Sequence, residues 1–411
     1  MLNLYNSLTR KIEPFHATQD TQVKMYTCGP STYLRPHIGN YRTFLFEDVL
    51  QRYLEYLGYN VKRLITLTDV EDKAIAQARK ENLTIEELTS KNEKVFFEDF
   101  KLLKIKMPDY HVRASSAVNQ AASLTAKLVQ SGYAYWFTYE GARNVYFNPL
   151  KFKGFGKLAH LDMNKWPKKK RRFHKDTYPG TPWNRGDFII WDGCKGNPVC
   201  YDAQIGSGRP AWNIQDAAIV TEHLGFSIDV ACGGIDNLVR HHDYTLAIAE
   251  AVSGKPFSRY WLHGAHLLVN GKKMSKSIGN VYYTSDVLAR GFSGEQLRFF
   301  LIYRSYRKKL NFTFEKLAKN SQKLGSLKGM VEELQASAGL KSNGQVMALV
   351  DGIIPNFENC MNDDLSVKMA FDTLYGSIRK LHRMRQSVNQ EDKRRLLDSV
   401  RKIDSVLQCI F

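Results

Sequence analysis

Val23-Lys24-Met25-Tyr26-Thr27-Cys28-Gly29-Pro30 opens the stretch that decides the fold. Val23–Thr27 reads as a short buried strand that runs into a glycine-proline turn. Beyond it, Phe44, Leu45, Val49, Leu50, Tyr53, Leu54 and Leu57 recur at helical spacing, and Gly58 ends that helix. Val61–Thr68, rich in leucine and β-branched residues, reads as the next strand. A strand, a glycine turn, a helix and a second strand form a βαβ unit of a parallel sheet. Open sheets of this kind bind ligands at the carboxyl ends of their strands. The crevice therefore receives Cys28 and the following His37-Ile38-Gly39-Asn40 from the first strand, and Thr68 and Asp69 from the second.

Further along, Ile85–Leu103 and Ala114–Gly132 read as helices. Between about Tyr133 and Gly208 the texture changes to short β-like runs, many turns and dense aromatics, which reads as an insertion splitting the sheet. The sheet resumes near Trp212, with a strand at Ser227–Ala231 that leads into Cys232-Gly233-Gly234. Ser258–Val269 brings the chain to a lysine-rich loop, and beyond about Ala318 the pattern is helical and basic. The expected fold is α/β: a Rossmann-like, doubly wound parallel sheet split by an insertion and followed by a C-terminal helical bundle. The corresponding division is 1–118 for the first half of the sheet domain, 119–207 for the insertion and 208–257 for the second half. The lysine-loop region is then 258–320 and the bundle 321–411.

The chain has 411 residues, enough for several domains and a large core. Its start does not resemble a signal peptide and no apolar run approaches a membrane span, so a cytoplasmic, membrane-free protein is expected, and as a monomer. The six cysteines, Cys28, Cys194, Cys200, Cys232, Cys360 and Cys409, contain no CxxC pair, which argues against a disulfide framework and an all-cysteine zinc knuckle. With 59 Lys+Arg against 41 Asp+Glu, the net charge of +18 points to a polyanionic partner. Lys168, Lys169, Lys170, Arg171 and Arg172 are consecutive cations flanked by Trp166, Phe173 and His174, a pattern that suits RNA phosphates and bases better than a merely solvated loop.

Two signatures carry the chemistry. His37-Ile38-Gly39-Asn40 joins an imidazole to a tight turn at a helix start, where phosphates bind well. Lys272-Lys273-Met274-Ser275-Lys276-Ser277 is a loop with three lysines. Cleavage of a triphosphate between its α and β phosphates needs cationic donors that strengthen as charge moves to the leaving pyrophosphate. Either signature alone is weak, but the pair in this order is specific.

Together they resemble class I aminoacyl-tRNA synthetases, and the flanking segments narrow the resemblance to the cysteinyl branch. Cys28-Gly29-Pro30-Ser31-Thr32-Tyr33, Thr66-Leu67-Thr68-Asp69-Val70-Glu71-Asp72-Lys73, Gly208-Arg209-Pro210-Ala211-Trp212-Asn213-Ile214-Gln215-Asp216 and Asp229 through His242 are each similar to a motif of that family. The resemblance spans about residues 1 to 380. It implies an ATP- and Mg2+-dependent ligase that forms an aminoacyl-adenylate and passes the acyl group to a tRNA 3′ end. His37, Asn40, Lys273 and Lys276 would act on the phosphates, with Gly39, Met274 and Ser275 beside them. Asp229, Gly233, Gly234 and Asp236 would cradle the ribose and adenine. The insertion would meet the acceptor end of tRNA through the cationic run. The chain stops near Phe411, where a longer synthetase would add an anticodon-reading module, so weak dependence on the anticodon is expected.

The implied amino-acid pocket comprises Cys28, Thr68, Asp69, Trp212, Asp216, His241 and Thr245. The family holds a zinc ion there with a Cys-Cys-His-Glu set. Cys28 and His241 match it, whereas Asp216 and Thr245 replace the second cysteine and the glutamate. A threonine hydroxyl is a poor zinc ligand, and losing a thiolate weakens the preference for zinc. Loss of the ordinary zinc site is expected; a retained one would use Cys28, Asp216 and His241. Three functions stay open at this point: a tRNA-charging enzyme with an altered pocket, for which cysteine need not be the substrate; a ligase that joins the activated amino acid to a small amine, as the related mycothiol-pathway ligase does; and a non-catalytic RNA-binding paralogue.

Overall fold

The computed structural model describes the chain except residues 168, 175–184, 197, 275–278, 338 and 340, and, of Arg240, the backbone alone. Its centre is a five-stranded parallel sheet. The strands are β1 (Gln22–Thr27), β2 (Asn60–Leu67), β3 (Tyr110–Arg113), β4 (Ile228–Gly234) and β5 (Ser258–Gly264), in spatial order β5-β4-β1-β2-β3. The order reverses between β1 and β4, which pair in parallel with Tyr26 opposite Ala231 and Thr27 opposite Cys232. That reversal is the topological switch point, where neighbouring loops diverge and leave a crevice.

Both faces of the sheet are covered. Alternation along β1 sends Val23 and Met25 to one core and Tyr26 to the other. The first core gathers helix α1 (Ile38–Tyr56) and the C-terminal helices; the second gathers α2 (Val118–Gln130), α3 (Trp212–His223) and α4 (Asp243–Ser253). Helix α1 ends at Leu57, and Gly58 follows at φ +96°, a left-handed turn that suits glycine. Gly29 has a different reason: a Cβ there would lie 1.7 Å from the Thr66 carbonyl oxygen, so β1 and β2 close together only over glycine.

Between β3 and β4 the chain builds a second, antiparallel sheet from Ala134–Tyr139, Ala142–Phe147, Asp187–Asp192 and Arg209–Pro210, with Arg172–Phe173 alongside. After β5, the short strands Leu267–Val269, Lys272–Lys273 and Leu310–Phe312 form a small third sheet, and long helices follow from Phe314 to Leu407. Arg42 joins these layers. It is buried on α1, and its guanidinium donates to the carbonyls of Ala265, Leu301, Ser305 and Lys308 at 3.1, 3.2, 3.2 and 2.5 Å.

Several sequence expectations change. Trp212 begins a helix rather than resuming the sheet, because Trp212 to Thr221 is buried on all sides and shows no face-forming alternation. Strand β3 and the helix Asp72–Glu81 escaped the sequence reading: the strand is four residues long at a sheet edge, and the helix is short and charged. Cys194 and Cys200 form a disulfide with their Cα atoms 5.6 Å apart, a single local bond that the sequence reading, which argued against a disulfide framework, did not single out. Among the described residues no helix is long and apolar enough to cross a membrane.

Candidate active site

A cleft of about 260 Å3 opens at the switch point, within the order of size of small-molecule sites. Its walls come from the turn after β1 (Cys28 to Ser31), the start of α1 (His37, Gly39, Asn40, Thr43), Thr68, Trp212, the end of β4 (Gly234, Asp236, Asn237), His241, the turn after β5 (Gly264 to Leu267), and Lys273 with Met274. The Cys28 amide donates to the Cys232 carbonyl at 3.0 Å and so sets the floor between β1 and β4.

His37 is the N-cap of α1. Its Nδ1 accepts from the Asn40 amide at 3.2 Å, and the Asn40 side-chain oxygen accepts from the His37 amide at 3.0 Å. This reciprocal cap explains the spacing of three between the two residues. It aims the positive end of a 19-residue helix at the cleft, where anions are stabilised. Gly39 belongs there because a Cβ would press within 2.9 Å of the His37 ring.

On the opposite wall, Asn270 and Gly271, at φ 49° and 79°, turn the chain between Leu267–Val269 and Lys272–Lys273. The hairpin presents Lys273 to the cleft, and the Lys273 carbonyl accepts from the Asn280 side chain at 3.1 Å. Ser275 and Lys276 lie outside the described residues.

The amino-acid side of the cleft departs from the sequence expectation. Trp212, the first residue of α3, stacks on the His241 ring with centroids 4.2 Å apart, and both line the cleft with Cys28 and Thr68. Asp216 does not line it. One turn further along α3, its carboxylate points into the core, where one oxygen accepts from both the Tyr26 hydroxyl and His241 Nε2. Burial works to raise the Asp216 pKa, but the His241 contact and the hydrogen bonds outweigh it and hold the carboxyl below its ordinary value. Burial, reinforced by the nearby Asp216 charge, pushes the Cys28 thiol well up.

Thr245 is also off the wall; its hydroxyl donates to the His241 carbonyl at 3.1 Å, the i−4 bond of a helical threonine. Asp69 accepts from the Ser115 amide and hydroxyl at 3.0 and 2.5 Å and so fixes the turn at Ala114–Ala117. Asp229 stands at the wrong end of β4 for nucleotide binding. Its carboxylate accepts from the amides of Thr18 and Lys24 at 2.6 and 2.8 Å, near the amino ends of the strands. Gly233 is close to the cleft but serves packing: a Cβ there would come within 2.6 Å of the His242 ring.

Sequence reasoning missed Ser31, Thr43, Asn237 and His266 on the cleft wall. His266 follows the segment Tyr260–Gly264, and its proximity to Lys273 arises only from the small third sheet; burial, with the Lys273 charge, holds its pKa low.

The cationic run sits on the antiparallel sheet. Lys169, Lys170 and Arg171 are exposed; Lys168 lies outside the described residues. Lys170 Nζ lies 3.9 Å from the Tyr135 ring centre, and Arg172 lies 3.9 Å over Phe137. His174 stacks on Tyr139 at 3.6 Å. Trp166 is not part of this surface: it is buried, edge-on to Phe155. The interleaved aromatics are thus those of the strand Ala134–Tyr139, which belongs to the same sheet but does not pair with Arg172–Phe173.

Comparison with known proteins agrees with this arrangement. A family model described as the tRNA synthetases class I (C) catalytic domain matches residues 14–322. A cysteine–tRNA ligase of Chlamydia pneumoniae is 36% identical over 99% of this chain and 86% of its own length. Those of Chlamydia abortus and Protochlamydia amoebophila are 37% and 32% identical over 100% and 99% of the chain, and over 86% and 85% of their own lengths. Among solved structures, a Mycobacterium tuberculosis methionyl-tRNA synthetase in complex with methionyl-adenylate superimposes with a TM-score of 0.67 at 16% identity, covering 95% of this chain and 90% of that one, a likeness of fold. The fold is that of the class I aminoacyl-tRNA synthetases, and the chain is a ligase of that class. Within that class, the chain belongs to the cysteinyl-tRNA synthetase family.

Proposed function

We propose that this enzyme activates cysteine with ATP, taken as its magnesium complex, and transfers it to the 3′ end of a tRNA. The observation that carries the reading is the composition of the cleft. A capped helix start and Lys273 converge on one end, and Cys28, Trp212 and His241 enclose the other. Relatives that match nearly the whole chain are cysteine–tRNA ligases, which favours cysteine over another amino acid despite Asp216 and Thr245.

In this reading the substrate carboxylate attacks the α-phosphorus in line and pyrophosphate leaves. Positioning and charge stabilisation supply most of the rate. The α1 N-terminus, with His37 and Asn40, holds the phosphates, and Lys273 and Lys276 neutralise the leaving pyrophosphate. Gly234 and Asp236 border the nucleoside. The acyl group then passes to a terminal adenosine hydroxyl, while the cations beside Tyr135 and Phe137 engage the acceptor arm. A mycothiol-type transfer to a small amine has no use for such a cationic surface, and a purely RNA-binding role leaves the phosphate end of the cleft unexplained.

Amino-acid-dependent ATP–pyrophosphate exchange, run across the common amino acids, tests the reading. Exchange driven by cysteine, with charging of a cysteine tRNA transcript, is expected. Exchange driven by another amino acid, or acyl transfer to a small amine alone, overturns it.

A further inference from the structure

The metal cage that the family resemblance implies does not fit the residues on this cleft. Cys28, Asp216 and His241 do bring ligand atoms within 4.8 Å of one another. Those atoms are already engaged with one another and with Tyr26, however. Asp216 is 1% exposed and absent from the cleft wall, and the oxygen nearest His241 already receives two donors. Thr245, at the position of the remaining ligand, offers only a neutral hydroxyl, which donates to the His241 carbonyl and is a poor zinc ligand. A ligating imidazole is normally oriented by a partner on its second nitrogen. Here the oriented nitrogen is Nε2, held by Asp216, and the buried Nδ1 has no hydrogen-bond partner among the described residues.

We propose that this chain selects its amino-acid side chain without a metal ion, using a buried Tyr26–Asp216–His241 brace that fixes the His241 ring on the pocket wall between Trp212 and Cys28. Tyr26 is fully buried on β1, so its hydroxyl is a fixed anchor. Asp216 rides on α3, and His241 stands at the irregular turn before α4. The brace thereby ties three elements together across the switch point. An ionised carboxylate only accepts, so Nε2 carries the proton it donates to Asp216 and the tautomer of His241 is set. Tyr26 and Asp216 are positioning residues: they act on the substrate through His241.

The inference rests on the cysteine reading in one respect and deepens it there. Cysteine and serine differ little in shape and both carry a hydrogen-bonding group on Cβ, so neither pocket shape nor a hydrogen bond from His241 separates them by more than about 10²-fold. Discrimination of cysteine from serine should therefore stay near that level in the absence of editing.

Metal content of the full-length protein, purified without chelator from zinc-supplemented cells, is the first test, and it does not depend on which amino acid is activated. Fewer than about one zinc per ten chains is expected, against near-stoichiometric metal for a true structural or catalytic site. About one zinc per chain that disappears in Cys28→Ser overturns the proposal. The second test uses Asp216→Asn and the gentler Tyr26→Phe, which keeps the core volume. Each is expected to raise KM for the amino acid that supports exchange, by about 5-fold or more, as for a lost buried hydrogen bond, with KM for ATP unchanged. An unchanged amino-acid KM in a folded Tyr26→Phe protein overturns the brace. Absence of cysteine-driven exchange, with zinc still missing, instead overturns the cysteine reading and leaves the metal-free pocket standing.

Discussion

Arg298 and Asp48 meet at 2.6 Å with both side chains fully buried, one from the helix Gly294–Ile302 and the other from α1. Asp48 also takes Arg52 at 3.0 Å and the Lys106 amide at 2.7 Å, while Arg298 donates to the carbonyls of Leu407, Leu103 and Lys104. One ion pair thus connects the catalytic sheet domain to the last helix of the bundle.

Removing one partner strands the other charge in the core. Asp48→Asn should destabilise the protein by about 3–5 kcal/mol, visible as a lower urea midpoint. Burial pushes the Asp48 pKa up, but Arg298 and Arg52 outweigh it and hold it below the usual carboxylate value of 3.8. Its stabilisation is therefore present above that ordinary value and lost as pH falls below it. In Asp48→Asn the acid limb of the stability curve should begin lower and be shallower.

His263 governs a different window. Its ring nitrogens meet His242 Nδ1 at 2.9 Å and Ser7 Oγ at 2.8 Å, and burial depresses its pKa from 6.5 to about 3. The unfolded chain then binds a proton below 6.5 that the folded chain refuses, so stability falls as pH drops from 6.5 toward 3. At pH 5 the loss relative to neutral pH is on the order of 2 kcal/mol from this group. Denaturation curves at pH 7 and 5 should differ less in His263→Asn than in the parent protein.

Lys273→Ala should leave the fold intact, since the side chain is exposed on a two-residue strand. It should lower the pyrophosphate-exchange rate about 10²-fold, as for loss of a transition-state donor, with a small change in amino-acid KM. Lys276→Ala should behave alike. Exchange kinetics at the parent level in both variants would remove the loop from the chemistry.

Replacing the five residues 168–172 with Ser or Gln should weaken tRNA binding and flatten its salt dependence, by roughly one unit of slope for each phosphate no longer neutralised. Adenylate formation should survive, because the described residues of the run, 169–172, lie beside the antiparallel sheet and are not on the cleft wall. Binding measured at several salt concentrations checks both parts. A variant that binds like the parent at every salt concentration would place the RNA surface elsewhere.

Much of this enzyme is written locally in the chain. The strand ending at Cys28, the helix that closes at Gly58 and the strand before Thr68 follow from periodicity and turn chemistry, which depend on near neighbours. The phosphate end of the cleft was legible for the same reason: His37 and Asn40 cap their own helix, and Lys273 follows closely on a Gly271 turn. Motif order along the chain was enough to indicate the family.

What only the tertiary structure decided is the direction in which strand-end and helix residues face. Asp229 and Gly234 share one strand, yet Asp229 holds the backbone at its foot and Gly234 borders the cleft at its head. Asp216 follows Trp212 by one helical turn, but Tyr26, distant in sequence, draws its carboxylate into the core. Thr245 turns back on its own helix. His266 reaches the cleft through a strand pairing that no local pattern announces. A sequence specifies which side chains are available near a strand end; which of them meet the substrate depends on partners contributed from across the switch point. In a closely packed interior, those partners leave a buried carboxylate a single well-satisfied place to go.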